Sequence, residues 1–99
     1  MAMVTETRLW CEVGIWNACE PGLIIQVEEF EPDGDYREFV DVLVDMPLEF
    51  PAGWADESDM LELPWESALE SLGYVTAAGW VPTYLPNSVC FPIIEGGKA

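Results

Sequence analysis

LIIQVEEFEPDGDYREFVDVLVDM, residues 23 to 46, is the stretch whose reading decides the fold. Its first third, LIIQVEEF, is rich in β-branched and aromatic side chains, and EPDGD at 31 to 35 gathers residues that tolerate a chain reversal. Beyond the turn the pattern alternates: Val40, Val42, Val44 and Met46 are expected on one face, with Phe39, Asp41, Leu43 and Asp45 on the other. Two strand-like flanks around Pro32, Asp33 and Gly34 predict an antiparallel hairpin.

Towards the N-terminus, RLWCEVGIW at 8 to 16 also alternates. Leu9, Cys11, Val13 and Ile15 form an apolar face, opposite Trp10, Glu12 and Trp16. The turn-rich NACEPG at 17 to 22 joins this strand to the hairpin, which gives a three-stranded meander. Towards the C-terminus, Pro47 and Pro51 interrupt the pattern, and residues 47 to 62 read as an irregular connection. A helix follows. Pro64 suits its first turn, Glu66 favours its positive end, and Gly73 stands where a C-terminal cap is needed. Trp65, Ala68, Leu69 and Leu72 fall at i, i+3, i+4 and i+7, an apolar stripe that should pack on the sheet.

From Ser71 to Ile94 there is no charged side chain, and Pro82, Pro86 and Pro92 forbid a long helix. Short strands are expected at 79 to 84 and 88 to 94, joined by LPN at 85 to 87, with Pro82 and Pro92 at edge or bulge positions. The fold class so predicted is α+β: a small antiparallel sheet with chain order β-β-β-α-β-β and one helix packed on a face. The 99 residues are expected to form a single acidic globular domain, with a mobile tail from 95 to 99.

A chain of this length buries roughly 60–68% of the surface it exposes when unfolded. With 51% hydrophobic residues, it has the means to build a core despite its charge. No run of 18 apolar residues occurs, and MAMVTETRLW has no basic segment followed by an apolar one; neither a membrane span nor a secretory signal is indicated, and a cytoplasmic location is expected. Cys11, Cys19 and Cys90 lack metal-type spacing and fit small buried hydrophobes.

Nineteen acids stand against Arg8, Arg37 and Lys98, a formal net charge of −16. Fifteen of the acids lie between Glu28 and Glu70, so the molecule is lopsided, and the whole repels nucleic acid and anionic membranes. A basic protein is the expected partner. Residues 53 to 73, GWADESDMLELPWESALESLG, carry six carboxylates and no base. On a helical line, Glu62, Glu66 and Glu70 would stand about one turn apart, roughly 5–6 Å between Cβ atoms. That spacing is of the same order as the ~3.4 Å rise per phosphate of a nucleic-acid strand. Pro64 sits where it would push Glu62 off the line. The expected partner-binding residues are Trp54, Asp56, Glu57, Asp59, Met60, Glu62, Glu66 and Glu70, with Trp54 and Met60 adding apolar contact.

ESDMLELPWESALESLG, residues 57 to 73, resembles the acidic strand-and-helix stretch of the phage uracil-DNA glycosylase inhibitors: a Glu-Ser pair, an apolar run, a proline and then an acidic helix. The likeness covers 17 residues, requires one extra residue in the apolar run, and is one of chemistry rather than of membership. It implies mimicry of a nucleic-acid backbone. In size and charge the chain also resembles small acidic phage inhibitors of restriction, CRISPR or repair enzymes, and immunity proteins of nuclease toxins.

Catalysis is not indicated. Without histidine, no Ser-His-Asp or Cys-His arrangement can be assembled, and no phosphate-binding glycine loop is present. Carboxylate pairs such as Asp33 with Asp35, or Glu28 with Glu29, arise by chance in so acidic a chain. EPDGD and DESD gather oxygen ligands, but the EF-hand spacing does not fit, and neither metal nor cofactor is expected. The sequence therefore points to a non-catalytic inhibitor, encoded by a phage or mobile element, that blocks the cationic site of a nucleic-acid-handling protein. The alternative is a structural, assembly or host-protein adaptor acting through the uncharged aromatic segment around Trp80, Tyr84 and Phe91, with a homodimer as one form.

Overall fold

The structure is a computed structural model and describes residues 5–16, 20–55 and 59–96. Three long strands, β1 (Glu6–Trp16), β2 (Glu20–Phe30) and β3 (Arg37–Pro47), form the expected meander. The β2–β3 turn closes as predicted: the Glu31 N–H donates to the Tyr36 carbonyl at 3.0 Å, and the Gly34 N–H to that of Glu31 at 3.2 Å. β2 starts earlier than the turn-rich composition suggests, with Glu20, Pro21 and Gly22 already paired to β1.

After the meander come a 3-10 turn (Met60–Glu62), α1 (Trp65–Ser71), β4 (Tyr74–Thr76), β5 (Thr83–Leu85) and β6 (Ser88–Glu95). The described chain thus holds three strands after the helix rather than two, and it is more sheet-rich than an even α+β mixture, with 55% strand and 12% helix. All pairings are antiparallel, in the order β3-β2-β1-β6-β4. β5 pairs with the first half of β6 and β4 with its second half, so the two short strands divide one edge. Pro92 lies at that division. Its carbonyl accepts from the Ala77 N–H at 3.1 Å, so its ring nitrogen turns to the same side and costs β6 no bond to β1.

One face of the sheet is covered. Cys11, Val13, Leu23, Ile25, Val89 and Phe91 are completely shielded there, against Leu63, Trp65 and Leu69 from the helical layer. Trp65 stacks at 4.7 Å from Phe91, and Trp80 at 5.0 Å from it, so two of the aromatics considered for an interface serve the core. The Trp65 indole N–H also donates to the Leu61 carbonyl at 2.9 Å, which ties α1 to the turn before it. Gly73, at φ +92°, ends the helix in the left-handed conformation that a C-terminal cap requires. Leu72, expected on the buried stripe, falls past the last helical turn and is exposed. Glu95 closes β6 opposite Tyr74, and the Gly96 N–H donates to the Gly73 carbonyl at 2.7 Å, so the expected tail is held at its first two residues.

The alternation expected for β3 is broken. Two register shifts leave Val40 and Leu43 without partners on β2, and each extra residue reverses the parity of what precedes it. Val44 and Met46 face the core side with Ile25 and Leu23, whereas Val42 pairs with Gln26 on the opposite face, and Asp41 with Val27. A seven-residue run of alternating valines therefore does not make one apolar face. No helix among the described residues is long and apolar enough to cross a membrane.

Candidate functional site

The described residues among those expected to bind a partner divide into three groups. Glu66 and Glu70 project from α1 into solvent, one turn apart, beside a shallow cleft of about 140 Å³ that Trp65, Tyr74 and Thr76 also line. Asp59 and Glu62 are exposed but already engaged locally. The Asp59 carboxylate accepts from the Leu61 N–H at 2.8 Å, and that of Glu62 from the Asp59 N–H at 3.1 Å, a capping box on the 3-10 turn. Asp59 also accepts from the Tyr84 hydroxyl at 3.1 Å; partial desolvation and then this bond hold the phenol above its ordinary range. Pro64, at ψ 62°, separates that turn from α1, so Glu62 does not continue the line of Glu66 and Glu70. Trp54 and Met60 are half-buried against the core, Trp54 also meeting Phe50 at 5.4 Å. Asp56 and Glu57 lie outside the described residues.

Among the described residues no helix lies over the opposite face of the sheet, and the chain builds a polar network there. Strand alternation points Trp10, Glu12 and Trp16 of β1 to this side, with Ile24, Gln26, Glu28 and Phe30 of β2 and Ser88 and Cys90 of β6. Glu12 accepts from Gln26 Nε2 at 2.8 Å and from the Ser88 hydroxyl at 2.7 Å. Glu28, only 5% exposed, accepts from the Trp10 indole at 3.0 Å and pairs with Arg37 at 3.5 Å. Arg8 lies 4.5 Å from the centre of the Phe30 ring and 5.8 Å from that of Trp10. Every buried polar side chain here has a partner, so these carboxylates are structural anchors in a sheet face without a covering layer.

The two described cysteines lie on opposite faces and are free. Burial pushes the Cys11 thiol up to about 12, and Cys90 is raised by burial and then by Glu12 and Glu28, which keeps both as thiols at neutral pH. Cys19 lies outside the described residues. Among the described residues no three or more histidine, cysteine or carboxylate side chains come together in a way that could hold a metal ion.

β3 presents a third surface. It is the edge strand of the long-strand side, and Phe39, Val40, Val42 and Leu43 are 41–54% exposed among Glu38, Asp41 and Asp45. Its backbone is not an open template. The two bulges distort it, and the Val42 N–H is held by the Asp41 carboxylate at 2.9 Å, a combination that blunts strand addition while leaving side chains available.

Between these features lies a cleft of about 270 Å³ lined by Glu12, Trp16, Ile24 and Asp45. Sequence spacing does not identify these four residues as neighbours, because they come from three strands. The available signal was the alternation that turns Glu12 and Trp16 away from the apolar face of β1. Comparison with protein-family models, curated proteins and solved structures gave no match.

Proposed function

We propose that this chain is a non-catalytic acidic binding protein that occupies the cationic site of a nucleic-acid-handling protein in place of DNA or RNA. The observation that carries this reading is the lack of compensation for its charge. The described bases, Arg8 and Arg37, both lie against the Phe30 ring, and Arg37–Glu28 is the single ion pair among the described residues. The remaining described carboxylates are left without a counter-ion inside the fold, on a scaffold stiffened by three 11-residue strands. Such an exterior attracts basic surfaces and repels nucleic acid itself. Glu66 and Glu70 support the mimicry most directly, as adjacent exposed carboxylates with no local bond. Phage or mobile-element origin and action in the host cytoplasm belong to the same reading.

Capture from a nuclease-treated bacterial lysate on the immobilised protein, at physiological and at high salt, tests it. One dominant nucleic-acid enzyme, lost at high salt, is the expected outcome. Retention only of proteins that do not handle nucleic acid, or of nothing, would contradict it.

A second reading keeps one observation in its favour. Val81, Tyr84 and Leu85 are 46–70% exposed within the uncharged segment, with Tyr84 and Leu85 on opposite faces of β5, which leaves apolar surface suited to self-association or to an adaptor role. Trp80 and Phe91, packed in or against the core, do not add to it. A dimer that Val81→Glu dissociates would favour this reading, and a monomer at all concentrations would remove its homodimeric form.

A further inference from the structure

We propose that the cleft on the uncovered sheet face is a receptacle for an arginine side chain of the protein partner. This rests on the reading that the partner is cationic, and it assigns a site distinct from the acids of α1.

The register builds the receptacle. Glu12 pairs with Ile24, and Ile24 with Asp45, so two carboxylates flank one apolar side chain in a single row across β1, β2 and β3. Neighbouring strands stand about 4.8 Å apart, which puts the outer two positions roughly 10 Å from each other. Trp16 lines one side of the cleft, with its ring beside Gly14 and Gly22, which face each other across the ladder. A Cβ on Gly14 would meet the Asn87 carbonyl oxygen and the Ser88 Cβ at 2.5 Å and the Trp16 ring at 2.8 Å, and one on Gly22 would meet the ring at 3.5 Å, so the ring packs most closely where Gly14 carries no side chain.

The chemistry of this cavity selects its occupant. Its 270 Å³ suits one side chain rather than a drug-sized molecule. Ile24 offers apolar surface to an aliphatic stem, and the Trp16 indole beside it is an aromatic partner for a planar cation. Asp45 is exposed, and its carboxylate makes no hydrogen bond or ion pair among the described residues, which leaves it to receive a guanidinium fork. Glu12 already holds Gln26 and Ser88, and contributes its charge from the other side. A neutral or anionic group would face two carboxylates in a chain of net charge −16, without compensation. Along the same face, Val42 and Phe39 continue the β3 side of the row and give apolar contact for residues flanking the arginine. Docking is by side chains, since the bulges and the Asp41 bond to Val42 N–H obstruct pairing of an added strand.

The test is an NMR titration of the isotope-labelled chain at low salt with a short peptide alternating leucine and arginine, and with its leucine-lysine counterpart. The arginine peptide is expected to shift the Trp16 indole N–H and the Ile24 and Asp45 amides, and to bind more tightly than the lysine peptide. Asp45→Asn should weaken it about tenfold, while Glu6→Gln, at an exposed carboxylate on the far end of β1, leaves it unchanged. Saturable shifts confined to α1 and the acidic turns, unaffected by Asp45→Asn, would overturn the receptacle yet leave a cationic partner in place. Equal binding of the two peptides would overturn the arginine assignment, and failure of both to bind anywhere would overturn the receptacle together with the reading it rests on.

Discussion

On the face of the sheet that α1 covers, Cys11, Val13, Leu23, Ile25 and Phe91 are shut away from water with no polar group among them to satisfy. On the other face, Glu12, Glu28 and Ser88 are held in a network of hydrogen bonds, and Arg8 and Trp10 lie over what a second layer would otherwise hide. The same strands build both, by alternation. The first face answers to apolar burial, where loss of volume is the injury; the second answers to pairing, where loss of one partner is. A small domain with one covered face thereby satisfies the other by pairing rather than by a second layer.

The covered face should give the largest effect. Phe91→Ala removes the ring against which Trp65 and Trp80 stack, and is expected to cost about 3–5 kcal/mol, enough to unfold much of a marginally stable domain. Urea titration followed by tryptophan fluorescence measures it; a loss below 1 kcal/mol would show that the trio is not the core.

Alkaline pH probes the same face without changing its volume. Cys11 is neutral in the fold up to about pH 12, whereas the unfolded thiol ionises near 9.0, so the unfolded state releases its proton first. Stability from this group is full below pH 9 and falls as pH rises towards 12, by on the order of 4 kcal/mol across that window. Unfolding free energy measured against pH should decline less steeply in Cys11→Ala, and an identical decline in both would contradict this origin.

On the uncovered face, Glu12→Ala strips the Ser88 hydroxyl and the Gln26 amide of their common acceptor, with an expected loss of about 1–3 kcal/mol. Glu12→Gln keeps an acceptor oxygen and should lose less. If the two variants were equally stable, the network would not be the device that replaces a covering layer. Smallest of all is the effect of Phe39→Ser or Glu66→Gln, both at exposed positions, within about 0.5 kcal/mol by thermal unfolding. A large loss at either would mean that a surface assigned to contact is part of the scaffold.

What was legible in the sequence followed the same division. Leu9, Cys11, Val13 and Ile15 announced the covered face because a regular strand has a period of two and one of its sides is apolar. The Asp33-Gly34 turn, the helix and its Gly73 cap were legible for equally local reasons. β3 was not, because the bulges at Val40 and Leu43 carry no turn residue and appear only in how β3 pairs with β2. β4, at three residues, is too short to show alternation and exists through β6, while the strand expected at 79 to 84 is present only as β5, Thr83–Leu85, in the hairpin with β6. The acids of the connection were visible by number, while their engagement was visible only in part: Asp59 and Glu62 stand at capping-box spacing, yet the Tyr84 bond to Asp59 depends on β5. Glu12, Ile24 and Asp45 meet only through strand register, and one sequence does not state register.

The proposed role in binding a cationic partner requires that the exterior carboxylates be left uncompensated by the fold itself. Thermal unfolding of the free protein by circular dichroism, from about 0.01 M to about 1 M sodium chloride, tests it most directly, because the Debye length falls from roughly 30 Å to 3 Å over that range. Screened self-repulsion should raise stability by about 1 kcal/mol or more, an increase in Tm of about 4–8 °C per kcal/mol for a domain of this size. A Tm that stays flat or falls with salt would show that the charges are balanced within the fold, and the account of an acidic face awaiting its partner would be contradicted.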